Sequence, residues 1–196
     1  DSGRVILGNR DVTRLGSDRR ARLGLARTFQ QLSAFPTLTV AENLLVGAEN
    51  RATSEFLRGL VGLPSRRAAA TEAIVRETLA SLGLTAVADE RAGALPTGTL
   101  RMVELGRALC SRPRVLLLDE PASGLDDLET AGLARVLRRL ASEGMAVLLV
   151  EHDLALVFDA ADTVYVMVSG QVIAAGTPAE VRADPRVRAS YLEATP

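Results

Sequence analysis

The run Val115-Leu116-Leu117-Leu118-Asp119-Glu120-Pro121 places two carboxylates directly behind four apolar residues. Such a run reads as a buried strand that delivers acid groups to the edge of a sheet. In open parallel sheets, ligands bind outside the carboxyl ends of the strands. A carboxylate there suits Mg²⁺, held partly through water, and the next one can orient or deprotonate an attacking water. Alone, the pair is equally a solvated acidic turn. A second apolar run, Ala146 to Val150, is followed by His152, the sole histidine. If both strands leave the sheet at one edge, the imidazole reaches the same crevice and can hydrogen-bond a phosphate oxygen. Gln30, behind the apolar stretch ending at Phe29, adds a neutral amide to that edge.

The elements that must carry these groups follow from periodicity and punctuation. Arg4 to Leu7 reads as a short strand, with Asn9 and Asp11 in the turn after it. Ser17 and Asp18 are suited to cap a brief helix through Leu23, Gly24 ends it, and Leu25 to Phe29 is the next strand. Thr39 caps a helix over Val40 to Ala48. A longer helix begins at Ser65, with Ala69, Ala73, Ile74, Leu79 and Leu82 as its apolar stripe and Gly83 at its end. A further helix spans about Gly98 to Ser111. Val115 to Leu118 and Ala146 to Val150 read as buried parallel strands flanking a helix at about Leu128 to Ser142. Thr163 to Val168 and Gln171 to Ala175 form a hairpin about Ser169-Gly170. Thr177 and Pro178 open a last helix. The alternation predicts an α/β sheet over residues 1–31 and 113–196, interrupted by a helical lobe over 32–112.

Composition narrows the classes of function. The 196 residues carry 23 basic and 24 acidic side chains, a net charge of -1, which argues against a strong nucleic-acid field. All the basic residues are arginine, so a mechanism that needs a lysine is not complete within this sequence. Cys110 is the lone cysteine, which excludes an internal disulfide and fits a reducing compartment. No apolar run approaches the roughly 20 residues of a membrane helix, and no apolar signal segment follows Asp1-Ser2-Gly3-Arg4.

Taken in order, these residues resemble the ATP-binding subunit of ABC transporters. Gln30, in Arg27-Thr28-Phe29-Gln30, matches that family's Q-loop glutamine, and Leu95-Pro96-Thr97-Gly98-Thr99-Leu100-Arg101 occupies the signature-loop position. Asp119 and Glu120 match the Walker B aspartate and the glutamate after it. Ser123-Gly124-Leu125-Asp126 resembles the D-loop, and His152 matches the switch histidine. The branched-chain amino-acid uptake group is the most similar subgroup, through Leu38-Thr39-Val40-Ala41-Glu42-Asn43-Leu44, Gly176-Thr177-Pro178-Ala179-Glu180-Val181 and Ala189-Ser190-Tyr191-Leu192.

The resemblance implies a P-loop NTPase-like, RecA-type core with an inserted helical subdomain. It implies ATP and Mg²⁺ as cofactors, with Glu120 and His152 catalytic and Asp119 and Gln30 at the metal. Gln30, Thr97, Gly98, Thr99 and Asp126 would contact nucleotide, the signature residues serving a second ATPase subunit's site. The implied partners are transmembrane permease subunits and that second subunit, with a solute-binding protein engaged indirectly and no nucleic acid. The implied location is the cytoplasmic face of the cell membrane.

Departures from the pattern matter as well. No G-x-x-x-x-G-K-[ST] run occurs, so the loop that cradles phosphates with backbone N–H groups and a lysine is missing. The sequence therefore reads as an N-terminally truncated ATPase, or as a lysine-free, non-catalytic module. Pro96 and Thr97 replace the serine and first glycine of Leu-Ser-Gly-Gly-Gln, and Thr99 its glutamine. DNA-maintenance ATPases of similar site chemistry carry long arms between Q-loop and signature, and positions 31 to 97 leave room only for a compact lobe. Residues from about Leu32 to Glu49 are the expected permease-docking surface: some of Phe35, Leu38, Val40, Leu44 and Leu45 must pack in the lobe, and the remainder leave an apolar patch.

Overall fold

The structure, a computed structural model, describes residues 2–28, 33–49 and 66–192. A parallel sheet of three strands organises it: β3 (Leu25–Arg27), β4 (Val115–Asp119) and β5 (Ala146–Val150), in the order β3-β4-β5. Leu25 pairs with Val115, and Asp119 pairs with Val150. Two hairpins flank it in sequence, β1 (Ile6–Leu7) with β2 (Arg10–Asp11) and β6 (Val164–Val168) with β7 (Gln171–Gly176). Asp11 thus lies in a second strand rather than in a turn. Its carboxylate still turns back to accept the Thr13 N–H at 2.9 Å.

Among the described residues the helices of six residues or more are α1 (Ser17–Arg22), α2 (Val40–Glu49), α3 (Arg66–Ser81), α4 (Thr97–Cys110), α5 (Asp127–Ser142), α6 (Leu154–Ala160) and α7 (Pro178–Ala183). Thr39 caps α2 as its sequence predicts: its hydroxyl accepts the Glu42 N–H and Glu42 accepts the Thr39 N–H. At α1 the cap is Gly16, without a side-chain hydrogen bond, because Ser17 and Asp18 already lie within the helix. None of the described helices is long and apolar enough to cross a membrane.

One face of the sheet is packed. Leu116 and Leu118 of β4 are buried, and half-buried Val147 and Leu149 of β5 pack with them, beneath Leu105 and Leu109 of α4, Leu133, Leu137 and Leu140 of α5, and Leu156 of α6. The opposite face is open at β5, where Leu148 and Val150 are 58% and 56% exposed. The apolar run of β5 predicts burial on both faces, yet only the side turned toward α4, α5 and α6 is covered. Among the described residues the second edge of β5 also carries no ladder.

A second core joins Val40 and Leu44 of α2, Val75 and Leu79 of α3, and Val103 and Cys110 of α4. Helix α4 therefore feeds two cores from opposite sides. Of the five apolar residues expected near the docking surface, Val40 and Leu44 pack in the lobe and are fully buried, Leu38 and Leu45 are half-buried, and Phe35 is exposed. Asn43, itself buried, secures the approach to α2, accepting the Phe35 N–H and donating to the Phe35 and Thr39 carbonyls.

Close approach of backbones fixes α2 on α4. A methyl group at Gly47 would collide with the Arg107 carbonyl oxygen, a backbone atom of another helix that has no rotamer to swing away. Gly47→Ala should therefore destabilise the protein by about 1–3 kcal/mol despite its gain in helix propensity. Urea denaturation followed by far-UV circular dichroism checks this.

Candidate functional site

The parallel ladder brings the acidic pair and the histidine to one edge. Asp119 ends β4, Glu120 follows it, and the Glu120 N–H donates to the Val150 carbonyl at 2.9 Å, one residue past the last strand pair. His152 then lies two residues beyond Val150, with its side chain 73% exposed. Glu120 has a backbone φ of +46°, in the left-handed region. For a non-glycine residue that conformation costs on the order of 1–3 kcal/mol and persists only where the surroundings over-determine it.

The turn behind Glu120 is strongly bonded. Ser123 N–H donates to the Glu120 carbonyl at 3.2 Å and Leu125 N–H to the Ala122 carbonyl at 2.9 Å. The chain then enters α5 through a capping box: Asp126 accepts the Glu129 N–H at 2.8 Å and Glu129 accepts the Asp126 N–H at 3.0 Å. The Asp126 carboxylate is thus engaged by its own helix. Asp119 also has a partner, for Arg27 Nη2 donates to its Oδ2 at 3.0 Å. Arg27 pairs with Leu117 in the sheet, so it sits beside the carboxyl end of β4.

Gln30 lies outside the described residues. From Ser33 the chain is held to α4. Arg107 donates to the Ser33 carbonyl and hydroxyl, each at 2.8 Å, and stacks its guanidinium over the Phe35 ring. The Ser33 N–H donates to the buried Glu104, which is paired with Arg101 at 3.5 Å.

Thr97, Gly98 and Thr99 form the first turn of α4 and pack against the loop that enters α5. Arg101 reaches the Ser123 carbonyl, and the Glu129 carboxylate lies directly against Gly98. Residue types therefore make two groups: Asp119, Glu120 and His152 at the sheet edge, and Thr97 to Thr99 at a helix N-terminus beside residues 123–129.

Sequence reasoning singled out neither Arg27 as the partner of Asp119 nor Glu151. The Glu151 side chain is wholly buried and binds the backbone of the loops after both β4 and β5. A register argument would have found Arg27. Nothing local marks Glu151, because its distant partner is a backbone N–H at Ala122.

Asp119 offers hard carboxylate oxygen at a strand end, which is the donor chemistry Mg²⁺ takes when one or two carboxylates share it with phosphates and water. Among the described residues no group of three or more His, Cys, Asp or Glu side chains forms an all-protein metal cage. The edge thus fits a metal that arrives with a phosphate ligand.

Comparison with known proteins places this geometry in a class. The ABC transporter family matches residues 1–123, and the branched-chain amino acid ATP-binding cassette transporter family matches residues 171–192. The chain belongs to the ABC transporter ATP-binding family. Among its relatives is the high-affinity branched-chain amino acid transport ATP-binding protein BraF of Pseudomonas aeruginosa, 38% identical over 193 residues, which cover 97% of this chain and 76% of that protein. The corresponding LivG protein of Salmonella typhimurium is 37% identical over the same span. A solved ATP-binding cassette of an ABC transporter in its ADP conformation superposes with a TM-score of 0.79 at 32% identity, over 98% of this chain and 77% of that one. The fold is accordingly that of the P-loop ABC ATPases, as the sequence predicts.

Gly98 is the site position most tightly defined by contact. Gly98→Ala would push a methyl against the Glu129 carboxylate, which must swing aside and give up the Asp126 N–H, while Asp126 keeps its hold on the Glu129 N–H. The expected loss is that of one capping hydrogen bond, about 0.5–1.5 kcal/mol, seen as a lower urea midpoint.

Proposed function

We propose that this chain is part of the ATP-hydrolysing motor of an import transporter for branched-chain or other amino acids. In this reading its β4–β5 edge supplies the hydrolytic side of a Mg-ATP site. One observation carries it: parallel pairing delivers Asp119, Glu120 and the His152 loop to the same end of the sheet. Mg-ATP, when bound, supplies the phosphoanhydride and a metal that offsets its charge. Asp119 and Gln30 are the residues that would hold the metal, and Asp119 exchanges its Arg27 contact to do so. Glu120 takes a proton from, or orients, the attacking water, and His152 donates a hydrogen bond on the phosphate side. Thr97, Gly98 and Thr99, with Asp126 nearby, face the nucleotide of a second ATPase subunit. Helix α4, which holds Ser33 through Arg107 and Glu104, would link the chain from Ser33 onward to that signature turn.

The division into a core lobe, 1–31 and 113–196, and a helical lobe, 32–112, belongs to the same proposal. The two cores that meet on α4 support it. Exposed Phe35, on the Arg107 side of the helical lobe, is the contact offered to a permease on the inner membrane face.

The phosphate cradle is not among these 196 residues, which contain neither a lysine nor its glycine-rich motif. We therefore read them as incapable of hydrolysis alone. The open edge of β5, beside bare Leu148 and Val150, is where a phosphate-binding strand, loop and helix would complete the sheet. Parallel sheets are ordinarily covered on both faces, and the bare one here fits that assignment.

Calorimetric titration with Mg-ATP is the direct test. Without cradle donors, and with Asp119 and Glu120 presenting negative charge, no micromolar site should appear; one that did would sink the reading. In a polypeptide that also carries the phosphate-binding loop, Glu120→Gln should lower turnover by orders of magnitude while retaining ATP binding. Near-normal turnover in that variant would remove Glu120 from the role.

A further inference from the structure

We infer that Glu151 is the positioning residue that fixes Glu120 and His152 relative to one another. Its carboxylate is wholly buried, although it sits in a loop between an exposed strand end and an exposed histidine. Oε1 accepts the Ala122 N–H at 2.8 Å, and Oε2 accepts the His152 N–H at 2.8 Å and the Asp153 N–H at 3.1 Å. Ala122 lies in the turn after β4, and His152 and Asp153 lie in the turn after β5. One side chain therefore ties together the two loops that carry the candidate hydrolytic groups.

The bonds are charge-assisted, and burial removes the competing water. They also explain how Glu120 stays left-handed. Its backbone is held on its N-terminal side by the Val150 carbonyl and on its C-terminal side by the Ser123 N–H. The Glu151 bond to Ala122 immobilises the residue between those two anchors. Asp153 extends the same logic, because its carboxylate caps α6 by accepting the Ala155 and Leu156 N–H groups. The β5 loop is thereby rigid on both sides of His152, and Glu151 transfers that rigidity to the β4 loop. The His152 ring itself stays solvent-facing, its Nδ1 at 3.6 Å from Glu151 Oε2, free to serve a ligand with its other nitrogen.

What this clamp is for rests on the proposed roles of Glu120 and His152. Whether it exists does not, and amide exchange reads it without nucleotide. In the parent protein the Ala122 and His152 amides, which lie outside every strand and helix, should exchange slowly and resonate downfield. Glu151→Gln keeps the shape but leaves one acceptor oxygen. It should speed exchange at Ala122 and Ser123 by roughly tenfold to a hundredfold, the loss expected for a charge-assisted bond. Leu117 in β4 and Leu148 in β5 should change little. The Glu120 Cα resonance should move away from its left-handed value in Glu151→Ala and less far in Glu151→Gln. An unprotected Ala122 in the parent would overturn the inference even if neither variant folded. Uniform acceleration across β4 and β5, with Glu120 unmoved, would also overturn it, since that is plain destabilisation. A micromolar Mg-ATP site on these residues would instead refute the functional reading and leave the clamp standing.

Discussion

Backbone pairing of β4 with β5, from Val115 with Ala146 to Asp119 with Val150, runs on through the Glu120 N–H to the Val150 carbonyl. That ladder is parallel, so both strands release their chains in one direction and at one height. Strand residues alternate between faces. Leu116 and Leu118 therefore turn into the core while Leu117 and Asp119 share the other side. A one-residue slip would bury Asp119 and expose the leucines. The position of the acidic pair thus depends on the same packing that stabilises the sheet.

Helix α4 makes the second connection. It contributes Leu105 and Leu109 to the sheet core, Val103 and Cys110 to the helical core, and Glu104 and Arg107 to the segment that leaves the Gln30 position. A helix buried on two sides has little freedom to shift alone, because close-packed interiors transmit displacement rather than absorb it. Its first turn, Thr97 to Thr99, is part of the same packed helix. Burial also pushes the Cys110 thiol above its ordinary range, with the Thr78 hydrogen bond acting weakly the other way, which marks Cys110 as a packing residue.

Much of this arrangement was legible in the chain itself. The apolar runs at Val115 and Ala146 announced β4 and β5, and their endings announced Asp119, Glu120 and His152. Thr39, and Thr177 with Pro178, marked helix starts that the structure keeps, each completed by a glutamate three residues on. What escaped the sequence depends on partners far along the chain. Leu148 and Val150 look like core in an apolar run, yet their exposure is decided by what covers the sheet. Which apolar residues of α2 pack in the lobe is likewise decided at a distance, where α3 and α4 close over Val40 and Leu44. Glu151 carries no mark in the sequence, and only the return of Ala122 to the β5 loop gives its buried carboxylate a distant partner.

The central claim is that the β4–β5 edge is a formed half of a nucleotide site, awaiting its phosphate cradle. The most direct measurement is a ¹⁵N chemical-shift titration of these residues with millimolar Mg-ATP. Weak, magnesium-dependent perturbations confined to the loops around Glu120 and His152 are the predicted result. Perturbations centred elsewhere on the protein, or identical ones without magnesium, would contradict it.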